Sequence, residues 1–95
     1  MPGTIEGKVT AYGPEGNLVT DISIAQLEAA PRDTSVAIRC DEHETVGLFT
    51  PGHGEPEMSL LALLAPSGFL ELTIVGDSAK VMLGVALGEK VVVTW

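Results

Sequence analysis

Aromatic and basic side chains are both scarce in this chain of 95 residues. Aromatic residues make up 4% of the sequence, and 5 Lys and Arg face 13 Asp and Glu. Nucleic-acid-binding proteins usually show the opposite composition, because basic side chains neutralise phosphates and exposed bases stack on aromatic rings. The formal net charge of −8 therefore predicts that neither nucleic acid nor an anionic membrane surface is a partner.

Cysteine and long hydrophobic runs are also missing. The single cysteine, Cys40, excludes a disulfide within the chain and is typical of a reducing compartment. The longest apolar run, residues 60–66, is too short to cross a bilayer as a helix. The sequence does not begin with the basic and then apolar segment of a secretory leader. We therefore expect a cytoplasmic protein with no membrane partner.

Short alternating segments separated by Gly and Pro dominate the rest of the chain, residues 1–95, which we interpret as one domain. Strands are predicted at residues 4–12, 17–20, 35–40, 45–50, 58–65, 69–75 and 90–95. Short helices are predicted at residues 24–30, about two turns long, and 79–83, and a polar turn at 41–44. The pattern favours an all-β fold, a closed antiparallel barrel of about seven strands with one or two short helices.

Three segments of the sequence carry a family resemblance. They are Gly16-Asn-Leu-Val-Thr-Asp-Ile22, Ser67-Gly-Phe-Leu-Glu-Leu72, and Gly76-Asp-Ser-Ala-Lys-Val-Met-Leu-Gly84. Their order and spacing resemble the C-terminal domain of the S-adenosylmethionine hydroxide adenosyltransferases, the family that includes fluorinating and chlorinating enzymes. The resemblance extends over nearly the whole chain and implies a seven-stranded antiparallel barrel for this domain.

The resemblance also implies a set of ligand-binding residues. Asn17 matches the asparagine that meets the adenine edge, where an amide can donate and accept hydrogen bonds at once. Phe49 lies near the position of an aromatic side chain that packs on the base. Ser67 and Gly68 match a turn near the methionine group, and the backbone of Gly76 would meet adenine. The implied ligand is S-adenosylmethionine or adenosine.

Each of these residues also has a purely structural interpretation. Asn17 is typical of turns, in which its side chain bonds the nearby backbone. Ser67 with Gly68 suits a plain hairpin turn, Gly76 suits any turn that needs a positive φ, and Phe49 suits core or interface packing. Both interpretations stay open at the level of the sequence.

Five positions depart from the family's pattern. Glu15 replaces an aromatic residue, the pair Ala65-Pro66 replaces Asn-Ser, and Val75 and Asp77 stand where Asn and Gly are usual.

No catalytic or metal-binding set emerges from the sequence. His43 and His53 lie among acidic residues, but their spacing matches no structural metal site, and we predict none. Cys40 and His43 could pair as nucleophile and base only with a third, orienting group, which we do not identify. We therefore assign no catalytic residue.

The resemblance leaves three functions open. Members of the family have two domains, and the first holds the residues that position water or halide against the ribose. The nucleoside binds between that domain and the second domain of a neighbouring subunit in a trimer. We expect a non-catalytic binding or oligomerisation module. The alternatives are half of an S-adenosylmethionine hydrolase, completed by a separate N-terminal domain, and an adenine-nucleoside binding module. The expected partner is a homo-oligomer, with a trimer as the family's habit, or that N-terminal domain.

Overall fold

The computed structural model describes residues 3–33, 35–52 and 54–95. The strands are β1 (Thr4–Tyr12), β2 (Leu18–Ser23), β3 (Ala37–Cys40), β4 (His43–Val46), β5 (Leu48–Phe49), β6 (Leu60–Leu64), β7 (Phe69–Ile74) and β8 (Lys90–Thr94). One 3₁₀ turn (Ala25–Leu27) follows β2, and one short helix, α1 (Ala79–Leu83), precedes β8. The predicted all-β barrel class is confirmed.

The strands form one sheet in the order β4-β3-β8-β1-β2-β7-β6-β5. Every pairing is antiparallel except that of β5 with β6. The sheet curls until β4 lies beside β6, and there the Thr45 hydroxyl donates a hydrogen bond to the Leu60 carbonyl at 2.9 Å. The barrel is therefore nearly closed. At the seam between β4 and β6, this side-chain hydrogen bond joins the two strands in place of a ladder of backbone hydrogen bonds.

Inward-facing aliphatic side chains fill the barrel. Strands β2, β3, β7 and β8 contribute six fully buried side chains to this core: Leu18, Ile22, Ile38, Leu70, Val91 and Val93. On β7 the inward set is Leu70, Leu72 and Ile74, which leaves Glu71 and Thr73 on the outer face. Alternation along each strand thus fixes which side chains reach the outer face.

β2 is longer than predicted because Thr20 stabilises an irregularity between β2 and β7. The register shifts between Val19 and Ser23. The buried Thr20 hydroxyl donates to the Leu70 carbonyl at 2.7 Å and accepts from the Ile22 amide at 3.2 Å. One hydroxyl therefore bonds a backbone carbonyl and a backbone amide where the regular pairing of the two strands is interrupted.

The predicted strand at 45–50 is two strands because of Gly47. Its φ of +85° turns the chain between Val46 and Leu48, so β4 pairs with β3 while β5 crosses to β6. The count rises to eight strands, and β5 runs parallel to β6, with Leu48 beside Ala62 and Phe49 beside Leu63.

Two smaller predictions were wrong. The helix at 24–30 is only the 3₁₀ turn, beside which the Ser23 hydroxyl accepts from the Gln26 amide at 3.2 Å. The Asp21 carboxylate, two residues earlier, accepts from the Lys8 amide at 2.9 Å. The polar turn at 41–44 is shorter than predicted, since β4 already begins at His43.

Trp95 is partly buried and packs against the core. Its ring lies so close to Gly3 that a Cβ there would come within 2.3 Å. In the part of the chain that the structure describes, no helix has the length and apolar character that a membrane crossing needs.

Candidate functional site: a groove on the outer face of the sheet

Asn17 and Phe49, two of the residues that the sequence singled out, meet at the outer face of β2, β7, β6 and β5. The pairings place Val19 beside Glu71, Glu71 beside Leu63, and Leu63 beside Phe49. Asn17 lies just before β2, and its side chain reaches Thr73 and Glu71 on β7. Sheet order therefore brings together residues that are more than fifty positions apart in the sequence.

A groove of about 560 Å³ opens at one end of this face. The residues that line it are Glu15, Asn17, Leu63, Thr73, Ile74, Val75, Gly76 and Asp77. This volume falls within the range of small-molecule sites. Two of the five predicted site residues, Asn17 and Gly76, line it.

Asn17 is held by the side chains of β7. Its Nδ2 donates to Glu71 Oε1 at 3.1 Å, and its Oδ1 accepts from the Thr73 hydroxyl at 3.1 Å. An amide nitrogen carries two hydrogens and an amide oxygen two lone pairs. Each end of the Asn17 amide therefore keeps one hydrogen-bonding position for a ligand.

Glu71 lies behind Asn17, and sequence reasoning did not select it as a site residue. It is 8% exposed, which is unusual for a glutamate on the outer face of a sheet. Its Oε1 accepts from Asn17 and its Oε2 from the Ser67 hydroxyl at 2.8 Å. A buried carboxylate is stable when donors of this kind surround it.

Ser67 and Gly68 form the turn between β6 and β7. Gly68 has a φ of +90°, and its amide donates to the Ala65 carbonyl at 3.0 Å. The Ser67 side chain joins the groove only through Glu71. The structural interpretation of Gly68 as a turn residue is thus correct, while Ser67 is both a turn residue and a support of the Asn17 network.

Gly16 and Ser78 bring the first and third motifs into direct contact. Gly16 has a φ of +85°, and a Cβ on it would lie 1.9 Å from Ser78 Oγ. Ser78 caps α1 by accepting from the Val81 amide, and the Gly16 carbonyl accepts from the Lys80 amide at 2.8 Å. This contact positions Asn17 and Gly76 at the same end of the sheet.

Gly76 follows β7 in a turn with a φ of +78°. The Asp77 amide donates to the Ile74 carbonyl at 3.1 Å, which closes the turn. Gly76 is therefore a turn residue with a positive φ, as its structural interpretation has it, and its backbone also lines the groove.

Phe49 lies outside the groove lining, on β5. Its register partner on β6 is Leu63, which does line the groove, and Phe49 is half-buried. The structure places it one strand beyond the groove on the same face.

The electrostatic character of the groove comes from Glu15 and Asp77. Both carboxylates line it, and none of the described residues that line it is basic. Three of the positions that depart from the family's pattern, Glu15, Val75 and Asp77, therefore meet in one groove. A cation is a more suitable ligand here than an anion.

Cys40 and His43 do not line the groove. Among the described residues, no group of three or more His, Cys, Asp and Glu could hold a metal ion. His53 lies outside the described residues, and His43 Nε2 lies 3.1 Å from the Leu83 carbonyl. Cys40 is 1% exposed, and burial, with smaller contributions from Glu89 and Asp41, raises the pKa of its thiol to about 11.

Cys40 should be nearly inert in the native protein. Its ordinary pKa is 9.0, so the rise to about 11 lowers the thiolate population at pH 8 about a hundredfold, and the thiolate is the reactive form. We expect the reaction with Ellman's reagent to be at least about a hundredfold slower in the native protein than in urea. Comparable rates in the two states would show that Cys40 is accessible.

The residues that sequence reasoning missed are Glu71 and Thr73, which fix Asn17. Alternation of polar with apolar residues along 69–75 already places both on one face of a strand. Only the pairing of β2 with β7 shows that this face meets Asn17. That pairing joins segments far apart in the sequence, so local pattern could not supply it.

These features define a class of protein, a small barrel-like β domain with a polar groove on its outer face. The chain belongs to the family of SAM hydroxide adenosyltransferase C-terminal domains, whose model matches residues 16–92. A comparison with curated proteins gives no significant match.

Two solved structures show the same fold. A conserved uncharacterised protein from Thermotoga maritima superposes with a TM-score of 0.78 at 22% identity, over 95% of this chain and 35% of that one. A conserved hypothetical protein from Thermus thermophilus gives a TM-score of 0.69 at 24% identity, over 90% of this chain and 33% of that one. The chain thus spans about a third of the length of these two structures.

Proposed function

We propose that this domain is a non-catalytic binding module, and that its groove forms one wall of a site for an adenine nucleoside. The observation that carries the proposal is the Asn17 amide, which is held in one orientation at the groove and keeps one donor and one acceptor unused. Adenine presents a donor at N6 beside an acceptor at N7 or N1, which matches such an amide.

The groove suits the rest of a nucleoside as well. Leu63 and Val75 supply apolar surface against which a flat base can pack, and the turn at Gly76 exposes backbone groups beside it. Membership of the family of SAM hydroxide adenosyltransferase C-terminal domains supports an adenine-containing ligand. The carboxylates of Glu15 and Asp77 favour a ligand with positive charge, such as the sulfonium form of the nucleoside, over a nucleotide with phosphates.

A second polypeptide surface completes the site in this proposal. Small-molecule sites bury most of the ligand's surface, whereas this groove is open on one side. Exposed apolar side chains near α1, Val81 at 74% and Leu87 at 56% exposure, support contact with such a surface. We favour an N-terminal domain of the kind found in the longer relatives, with a second copy of this chain as the alternative. In the first case, the hydrolase activity would belong to the assembled pair.

Titration of the isotope-labelled chain with adenosine tests the proposal. We expect NMR shifts confined to residues 15–20, 63 and 73–77, with a dissociation constant in the micromolar to millimolar range because only one wall is present. Adenosine monophosphate should bind at least about threefold more weakly, since its phosphate meets two carboxylates. Sedimentation of the same samples shows whether a second copy assembles.

The proposal fails if millimolar adenosine and S-adenosylmethionine leave these amides unshifted. An oligomer that forms without ligand, together with unshifted groove residues, would favour the oligomerisation function over the binding one.

A further inference from the structure

We propose that Glu71 is a positioning residue that fixes the orientation of the Asn17 amide and thereby makes the groove selective for adenine over hypoxanthine. The inference rests on the proposed function for its ligand, and on the hydrogen bonds of the unliganded chain for its geometry.

Asn17 can be held in two orientations, related by a flip that exchanges its oxygen and nitrogen. A carboxylate is only an acceptor, so Glu71 can face the Nδ2 end and not the Oδ1 end. Thr73, whose hydroxyl can donate or accept, is compatible with either end. Glu71 is therefore the partner that determines the orientation.

Glu71 is itself held in place. It is 8% exposed, and the Ser67 hydroxyl donates to its second oxygen at 2.8 Å. With one oxygen held by the turn between β6 and β7 and the other by Asn17, the carboxylate has little freedom to rotate. Because Glu71 does not line the groove, it acts on a ligand through Asn17.

A fixed amide distinguishes purines by their sixth position. Adenine carries an amino donor there, and hypoxanthine carries a carbonyl acceptor with the neighbouring N1 protonated. An amide that offers its free acceptor to the amino group of adenine offers the same lone pair to the carbonyl oxygen of hypoxanthine, and two acceptors repel. On the N1 edge, a flipped amide would donate to that carbonyl and accept from the N1 proton, so either base would find a partner.

Glu71→Gln tests the inference with almost no change in shape. A glutamine side chain can present either its oxygen or its nitrogen to Asn17, so both orientations become available. Adenosine and inosine are titrated against the wild type and the variant, and the Asn17 Nδ2 protons are recorded without ligand. The matched control is Glu44→Gln, the same change at an exposed position of β4.

We expect the wild type to prefer adenosine over inosine by at least about tenfold, and Glu71→Gln to reduce this preference below about threefold. The Asn17 Nδ2 signals should move in Glu71→Gln and stay unchanged in Glu44→Gln. Ser67→Ala, which leaves the carboxylate facing Asn17, should keep most of the preference.

Unchanged selectivity and unchanged Asn17 signals in Glu71→Gln would overturn the inference. If the wild type binds neither nucleoside, the proposed function fails and the selectivity falls with it. Spectra recorded without ligand separate the two failures. Asn17 signals that shift in Glu71→Gln would still show that Glu71 fixes the orientation of the Asn17 amide.

Discussion

Gly16→Ala is expected to lower the free energy of unfolding by roughly 3 kcal/mol, from overpacking and a left-handed backbone together. The added methyl would lie 1.9 Å from Ser78 Oγ, 2.7 Å from Ser78 Cβ and 3.1 Å from Ser78 Cα. Rotation of the Ser78 side chain cannot relieve contacts with its Cβ and Cα. Displacing Ser78 would also weaken the cap of α1. Urea denaturation, followed by circular dichroism, measures the effect.

Gly88→Ala separates the steric part of this loss from the backbone part. Gly88 has nearly the same φ, +88° against +85° for Gly16, and a Cβ on it meets nothing within 4 Å. Its variant should lose only about 1 kcal/mol, the cost of a left-handed alanine. Equal losses in the two variants would contradict the close docking of the first motif on the third.

Asn17→Asp is expected to lower the free energy of unfolding by roughly 2–3 kcal/mol at pH 7. The substitution removes Asn17 Nδ2, which donates a hydrogen bond to Glu71 at 3.1 Å, and puts a second carboxylate oxygen in its place. Two carboxylates at this distance repel strongly when one of them is buried. The cost is below that of a fully buried pair because Asn17 is only half-buried. The same variant should also lose adenosine binding.

The double variant Asn17→Asp with Glu71→Gln provides the control. It restores one amide and one carboxylate with their positions exchanged, so a hydrogen bond can form again between them. Stability should recover to within about 1 kcal/mol of the wild type. A double variant no more stable than Asn17→Asp alone would show that the loss does not come from the pair. Adenosine binding should stay weak, because the groove would then present a carboxylate in place of an amide.

Local sequence pattern is enough to predict most of the strands and the class of fold. Alternation predicts strands with one polar face at 4–12 and 69–75, and the structure has them at Thr4–Tyr12 and Phe69–Ile74. A turn from Gly13 to Gly16 joins β1 to β2. Alternation could not show that Gly47 would divide one predicted strand, since a glycine inside a strand often leaves the strand intact. The direction of β5 depends on where the seam of the barrel falls, which is a property of the whole sheet.

The candidate site was predictable in part. Asn17 and Gly76 follow from the family resemblance, and both line the groove. The role of Glu71 was not predictable from alternation, which marks it as a polar residue on an exposed face. Its two carboxylate oxygens are bonded by Asn17, from a distant segment, and by Ser67, from the turn before β7. Tertiary contacts thus turned an ordinary surface position into the support of the site.

The most direct test of the central claim is the contact between the base and the groove. Intermolecular nuclear Overhauser effects should be measured from the adenine H2 and H8 protons of bound adenosine to methyl groups of the labelled protein. We predict cross-peaks to the methyls of Leu63, Thr73 and Val75, residues that line the groove with Asn17. Cross-peaks instead to Ala or Val methyls away from these residues, or binding at the separate recess around Lys8 and Asp21, would contradict the account.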